Sequence, residues 1–270
     1  MKRIILLLIT FIITGSVFAQ DFQGVATYKS HRKLDFKMDD ANIDSEMQKQ
    51  IAAQLVKQFQ QEYTLVFTKE ESIYKQNKSL AAPSPKPSSG ISITVSGNSD
   101  VTYKNIKENR YTRDSEVYGK RFLIKDSIEP RKWELVKETK SIGEYICNKA
   151  IFKEKYETKT MTTDGNIETV EKDRVTTAWY TMQIPVNNGP GDFQGLPGLI
   201  LEINDGELTL VCSKLVLNPK EKVDIVEPKK GKVVTQEKFE AIMDKKSQEM
   251  MEQFHGRGND GSRSVIRIGG

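Results

Sequence analysis

The sequence predicts an α+β fold: a mainly antiparallel, meandering β-sheet with one amphipathic helix near the N-terminus packed on a face and a second helix near the C-terminus. Three observations lead there. Short segments alternating apolar and polar residues recur from Gly24 onward, as half-buried strands require. Turn-forming glycines stand between several of them. Two other segments change to a period near four, which belongs to a helix with one apolar stripe.

In chain order, the first element is a leader. Lys2 and Arg3 precede an apolar run from Ile4 to Ile13, and small residues end at Val17-Phe18-Ala19. This is the pattern of a secretory signal peptide cleaved after Ala19. The apolar run is shorter than the roughly 20 residues that span a bilayer, so a transmembrane anchor is the weaker reading. The product is then expected as one domain over residues 20–256, located in the periplasm or outside the cell, with no transmembrane span.

Strand character follows at Gly24–Ser30, Tyr63–Lys69, Ser72–Gln76, Asp100–Lys104, Arg110–Glu116, Lys120–Asp126 and Trp133–Val136. It is clearest where Tyr63, Leu65 and Phe67 alternate with Thr64, Val66 and Thr68. Tyr118-Gly119, Asp164-Gly165-Asn166 and Asp205-Gly206 mark tight reversals, where positive φ is needed at low cost. Between the first two strands, Ile43, Met47, Ile51, Leu55 and Phe59 recur every four residues, and Asp39, Asp40, Asp44 and Glu46 load the start with negative charge. That predicts a helix over Asp40–Gln60. Three prolines in Leu80–Gly90 exclude a strand there and make a loop. Near the end, Thr235 is placed to cap a helix with Phe239, Ile242, Met243, Met250 and Phe254 on one face, stopped by Gly256. Residues 257–270, rich in Gly, Arg and Ser, read as a disordered tail.

Charge excludes some functions. The chain carries 41 Lys plus Arg against 37 Asp plus Glu, and loss of Lys2 and Arg3 brings the balance to 39 against 37. Such a mixture creates no long-range field for nucleic acid. Cys147 and Cys212 are the two cysteines. In an exported chain an even count favours a Cys147–Cys212 disulfide, with two buried thiols as the alternative.

The segment Ile184–Ile203 reads IPVNNGPGDFQGLPGLILEI. Its centre, Gly195-Leu196-Pro197-Gly198-Leu199-Ile200, is the signature of the GLPGLI family of exported proteins from Gram-negative bacteria. Trp133, Glu138-Thr139-Lys140, Ile142, Tyr145, Cys147, Lys149-Ala150, Ala178-Trp179-Tyr180 and Ile184-Pro185 stand in the order that family shows, so Trp133–Leu217 resembles it. The polar stretch Tyr156–Arg174 is longer than the family's usual connection. The resemblance implies no reaction, because the family has no established common activity.

Within the signature, Pro197 presets φ for a type II turn and Gly198 is expected to supply its positive φ. Leu199, Leu201 and Ile203 then fall in phase with Leu208, Leu210 and Cys212 across the Asp205-Gly206 turn. One reading makes this a rigid turn and a core hairpin. The other makes Phe193, Gln194, Gly195, Leu196, Pro197 and Gly198 a loop that docks a ligand or partner, with Phe193 and Gln194 exposed.

No catalytic pattern accompanies it. His31 and His255 lie far apart without ligand spacing, and neither a nucleophile elbow, a phosphate-binding loop nor a dinucleotide fingerprint occurs. Neither a catalytic set, a metal site nor a cofactor is predicted. The reading that follows is a non-enzymatic exported binding or accessory protein of the periplasm or cell envelope, whose partner is an envelope protein or an apolar small molecule. An enzyme built on a carboxylate, Tyr or Lys, or a structural part of an outer-membrane transport or secretion assembly, is the alternative.

Overall fold

The computed structural model describes residues 22–33, 60–77, 100–161 and 167–256. These residues form twelve strands and one helix. The first group is β1 (Gln23–Arg32), β2 (Glu62–Thr68), β3 (Glu71–Gln76), β4 (Val101–Asn105), β5 (Arg110–Val117) and β6 (Lys120–Ser127). The second is β7 (Glu134–Ile142), β8 (Tyr145–Met161), β9 (Ile167–Thr181), β10 (Leu199–Asn204) and β11 (Leu208–Leu217). The short β12 (Lys232–Val234) and the helix α1 (Gln236–Gly256) complete the chain.

All twelve strands lie in one sheet, ordered β12-β6-β5-β4-β3-β2-β1-β11-β10-β9-β8-β7. It consists of two meanders joined edge to edge. The first runs outward from β1 to β6, the second inward from β7 to β11, and antiparallel pairing of β1 with β11 closes the seam. Local reversals explain each meander: Tyr118 and Gly119 both take positive φ (51° and 72°) between β5 and β6, as the twist of a two-residue hairpin demands.

The fold class differs from the α+β expectation. The molecule is mostly β, the sheet is mixed rather than wholly antiparallel, and the described residues contain one helix, not two. The parallel pair is β12 with β6, in register from Lys232↔Phe122 to Val234↔Ile124. It arises because residues 219–231 carry the chain from β11, near the middle of the sheet, to its far edge, where β12 arrives running the same way as β6. Glu227 fastens this strap, accepting from Thr112 Oγ1 at 2.6 Å and pairing with Arg110 at 3.0 Å. The helix expected over Asp40–Gln60 lies outside the described residues except for Gln60, which is not helical. The Leu80–Gly90 loop, the Asp164-Gly165-Asn166 reversal and the 257–270 tail also lie outside them.

Residues paired across neighbouring strands share a face of the sheet, so register identifies the face that holds the core. Ala26 pairs Leu65, Leu65 pairs Tyr74, and Gly24 pairs Phe67. Ala26, Leu65 and Phe67 are fully buried together with Tyr28, Cys147, Ile184 and Leu199 in the main apolar cluster. The cover on this face is the segment 182–198, which drops Ile184, Val186 and Leu196 onto the strands. Tyr28 crosses beneath it, and its hydroxyl donates to Ile200 O at 2.7 Å. At the opposite end of the same face, Phe239 and Ile242 of α1 cover Phe122, Ile124 and Val234. Thr235 Oγ1 accepts from Lys238 N at 3.3 Å and so satisfies one of the N–H groups left open at the helix start.

Cys147 and Cys212 do not form the expected disulfide; both are free thiols. Cys147 stands on β8 and Cys212 on β11, and β9 and β10 lie between those strands. Both thiols border one apolar cluster, and burial pushes each up to about 11.

Candidate functional site

Between the two covers, the inner face changes character. Going outward from the apolar β1–β2 region, β4 presents Thr102 and Lys104, β5 presents Tyr111 and Arg113, and β6 presents Asp126. The register places them together: Lys104 pairs Tyr111, Thr102 pairs Arg113, and Tyr111 pairs Asp126. Tyr74, in the main apolar cluster, pairs Thr102 and therefore belongs to the same face. Here the sheet floors an open cleft of about 660 Å³, walled by residues 127–131, by Asp192 and Gln194 of the cover, and by the first turns of α1.

Lys104 is the most enclosed charge in the molecule's described part, at 2% exposure. Its Nζ donates to the carbonyls of Gly189 and Phe193, each at 3.3 Å. Burial pushes this ammonium down to about 7; the Asp192 carboxylate opposes the shift and the Arg131 guanidinium adds to it. Two arginines hold the same loop. Arg113 Nη2 donates to Asp192 Oδ2 at 2.9 Å, and Arg131 Nη1 donates to the Asp192 carbonyl. Arg131 also stands 4.8 Å over the Phe193 ring, within range of a cation–π contact. Three basic side chains thus hold residues 189–193, Lys104 through the carbonyls of Gly189 and Phe193 and the two arginines through Asp192.

On the helix side, Tyr111 donates its hydroxyl to Gln236 Oε1 at 2.9 Å, and Asp126 Oδ2 accepts from Gln236 N at 3.0 Å. A carboxylate at a helix start is favoured both by the open N–H and by the helix dipole. Burial pushes the Tyr111 phenol up to about 12, with Arg113 acting the other way, so it remains a neutral donor at neutral pH. The floor of the cleft therefore offers an amine near its titration point, a phenol and two guanidiniums whose remaining N–H groups are uncommitted among the described contacts.

The six residues 193–198 singled out in the sequence do not act as a unit. Phe193 is half-buried between Arg131 and Trp133, the latter ring 6.4 Å away. Gln194 is enclosed at 8% exposure rather than presented to solvent; its carbonyl accepts from Trp133 Nε1 at 2.9 Å, and its side-chain Oε1 meets no partner. Leu196 is buried, while Gly195 and Pro197 are exposed. Only Gln194 of the six borders the cleft. The turn geometry also differs from the expectation: positive φ falls on Gly195, at 98°, and not on Gly198. Gly198 is needed for a different reason, since a Cβ there would lie 2.1 Å from the Thr181 carbonyl oxygen.

Lys104, Tyr111, Arg113 and Asp192 carry the site, yet none stood out in the sequence. A signal was present in the alternation. Thr102 and Lys104 fall in phase with Ser72 and Tyr74 on one side and with Arg113 and Tyr111 on the other, so the inward face turns polar from β4 onward, but this phase is visible only once the register is known. Among the described residues no group of His, Cys, Asp or Glu could hold a metal ion.

Comparison with known proteins agrees with this picture at the level of fold. A family model described as "Protein of unknown function (Porph_ging)" matches residues 133–202, which run from Trp133 through β7–β9 and the cover loop into β10. No curated protein matches the chain. Two solved structures of PNGF-II, in C2 and P21 space groups, are similar with a TM-score of 0.50 at 12% identity. They cover 83% of this chain and 33% of PNGF-II, so the chain spans about a third of that protein's length. At such low identity the likeness concerns the arrangement of strands alone.

Proposed function

We propose that the chain is an exported, non-enzymatic binding protein that holds a small polar ligand in the cleft between the 187–194 loop and α1. The observation that carries this reading is the run of polar side chains, Lys104, Tyr111, Arg113 and Asp126, on the one sheet face that elsewhere serves apolar packing. A core position filled by Lys or Arg costs stability unless the group is paired or used. Lys104, Arg113 and Arg131 are used here to immobilise the loop, which leaves a preformed concave surface rich in donors. A ligand with several hydroxyl, carbonyl or carboxylate acceptors fits those donors.

Export rests on the Met1–Ala19 leader and on the resemblance of Trp133–Leu217 to exported GLPGLI proteins. A binding role rather than a catalytic one rests on how the reactive-looking groups are spent. The Lys104 amine is turned to two carbonyls of the loop, while the arginines keep N–H groups beyond their contacts with Asp192 that can bind a ligand.

Native mass spectrometry of the full chain, produced with its leader and recovered from the exported fraction, tests the reading. A polar small molecule is expected to accompany the protein, and Tyr111→Ala with Arg113→Ala should release it while the protein still melts cooperatively. A protein that emerges without any bound small molecule, or a double variant that keeps the molecule undiminished, refutes it.

A further inference from the structure

A second groove lies at the other side of α1, remote from the Lys104 cleft in composition and chemistry. It has a volume of about 760 Å³ and runs between the β5–β6 turn, β12 and the outer turns of α1. Its apolar side is made by Val117, Phe122 and Ile242, the open margin of the small cluster that docks the helix. Its rim is basic: Lys120, Arg121, Lys232 and Lys246 all border it. Arg121 is matched by Asp114 and Lys246 by Glu249, the latter at 2.5 Å. Lys120 and Lys232 make no ion pair among the described residues.

Among the described residues, Glu249 is the carboxylate that lines this groove, and it shows what the rim favours. Glu249 is held below the usual carboxylate range by Lys246 first, with Lys245 and Lys120 adding to it. A carboxylate is thus stabilised at this rim by lysines from both the helix and the hairpin turn, and further cations remain unmatched. An apolar floor beside a cationic rim is complementary to a molecule with one anionic head and one apolar tail. Self-association through this face is disfavoured, because two copies would bring the same unmatched lysines together.

We infer that this groove binds a single-chain anionic amphiphile, a fatty-acid-like carboxylate, with the tail along Val117, Phe122 and Ile242 and the head between Lys120 and Lys232. The site does not share a side chain with the Lys104 cleft, so either can fail without the other.

Isothermal titration of the full chain with dodecanoate below its micelle concentration tests it, with dodecyl maltoside and inorganic phosphate as the neutral and tail-less probes. Dodecanoate is expected to saturate at one per chain. It should bind at least about tenfold more tightly than either control, and Lys120→Glu with Lys232→Glu should weaken it at least about tenfold. Where that charge reversal lowers the melting temperature, Lys120→Gln with Lys232→Gln replaces it in the same comparison. Dodecanoate that fails to saturate, that is matched by dodecyl maltoside, or that binds the substituted protein unchanged overturns the inference.

Discussion

Lys104→Met removes the buried amine while keeping a linear side chain of similar length, and its effect on stability should depend on pH in a calculable way. The Lys104 ammonium falls from its ordinary 10.5 to about 7 in the folded protein. In that interval the unfolded chain carries a proton on this group that the folded chain has released. The unfolded state therefore binds more protons, and stability rises as pH rises from about 7 toward 10.5. The full interval corresponds to about 5 kcal/mol, and each pH unit to about 1.4 kcal/mol once the folded form is mostly neutral. Cys147 and Cys212 act oppositely at higher pH. Each is raised from 9.0 to about 11, so above 9 the unfolded chain loses protons that the folded chain keeps, and stability falls. A window from about pH 7.5 to about 8.5 separates the two effects, and within it Lys104 alone should add about 1 kcal/mol. Urea denaturation across this window should give a positive slope of unfolding free energy for the native sequence that exceeds that of Lys104→Met by this amount. At the upper end the variant should also be less stable by about 1–3 kcal/mol, because the Gly189 and Phe193 carbonyls lose their donor in an enclosed site. Equal slopes for the two proteins would show that Lys104 keeps its proton when folded, and the lowered pKa would be refuted.

Two further predictions concern the loop and the thiols. Gly198→Ala should destabilise by about 3 kcal/mol or more, since the new Cβ would meet the Thr181 backbone at 2.1 Å, whereas Gly195→Ala should cost only about 1 kcal/mol for its φ of 98°. Urea midpoints in which Gly195→Ala is the more damaging would reverse this assignment. Thiol titration without reductant should count two free thiols per chain after unfolding and slow reaction before it, because Cys147 is fully buried and both thiols are held protonated near neutral pH. A count of zero in the unfolded chain would show a disulfide.

What the sequence determined by itself is the local structure. Alternation placed Tyr63, Leu65 and Phe67 on one side of a strand, and in β2 that side faces the core. The Asp205-Gly206 reversal set the phase in which Ile203 pairs Leu210, and Thr235 marked the start of α1. These features depend on residues within a few positions of each other, so the sequence carries them directly. Tertiary structure alone decided the fold class, the thiols and the site. Alternation states that a strand has two faces, but not that β1 meets β11 across nearly the whole chain or that residues 219–231 deliver β12 parallel to β6. For the same reason the count of two cysteines could not reveal that β9 and β10 would separate them. Gly198 looked like a turn residue because its neighbours are turn-formers; its actual constraint is the Thr181 backbone, seventeen positions earlier in the chain. Lys104 is the extreme case. Its burial, its lowered pKa and its hold on Gly189 and Phe193 all come from a loop more than eighty residues away, and a lysine in a strand carries no local trace of that.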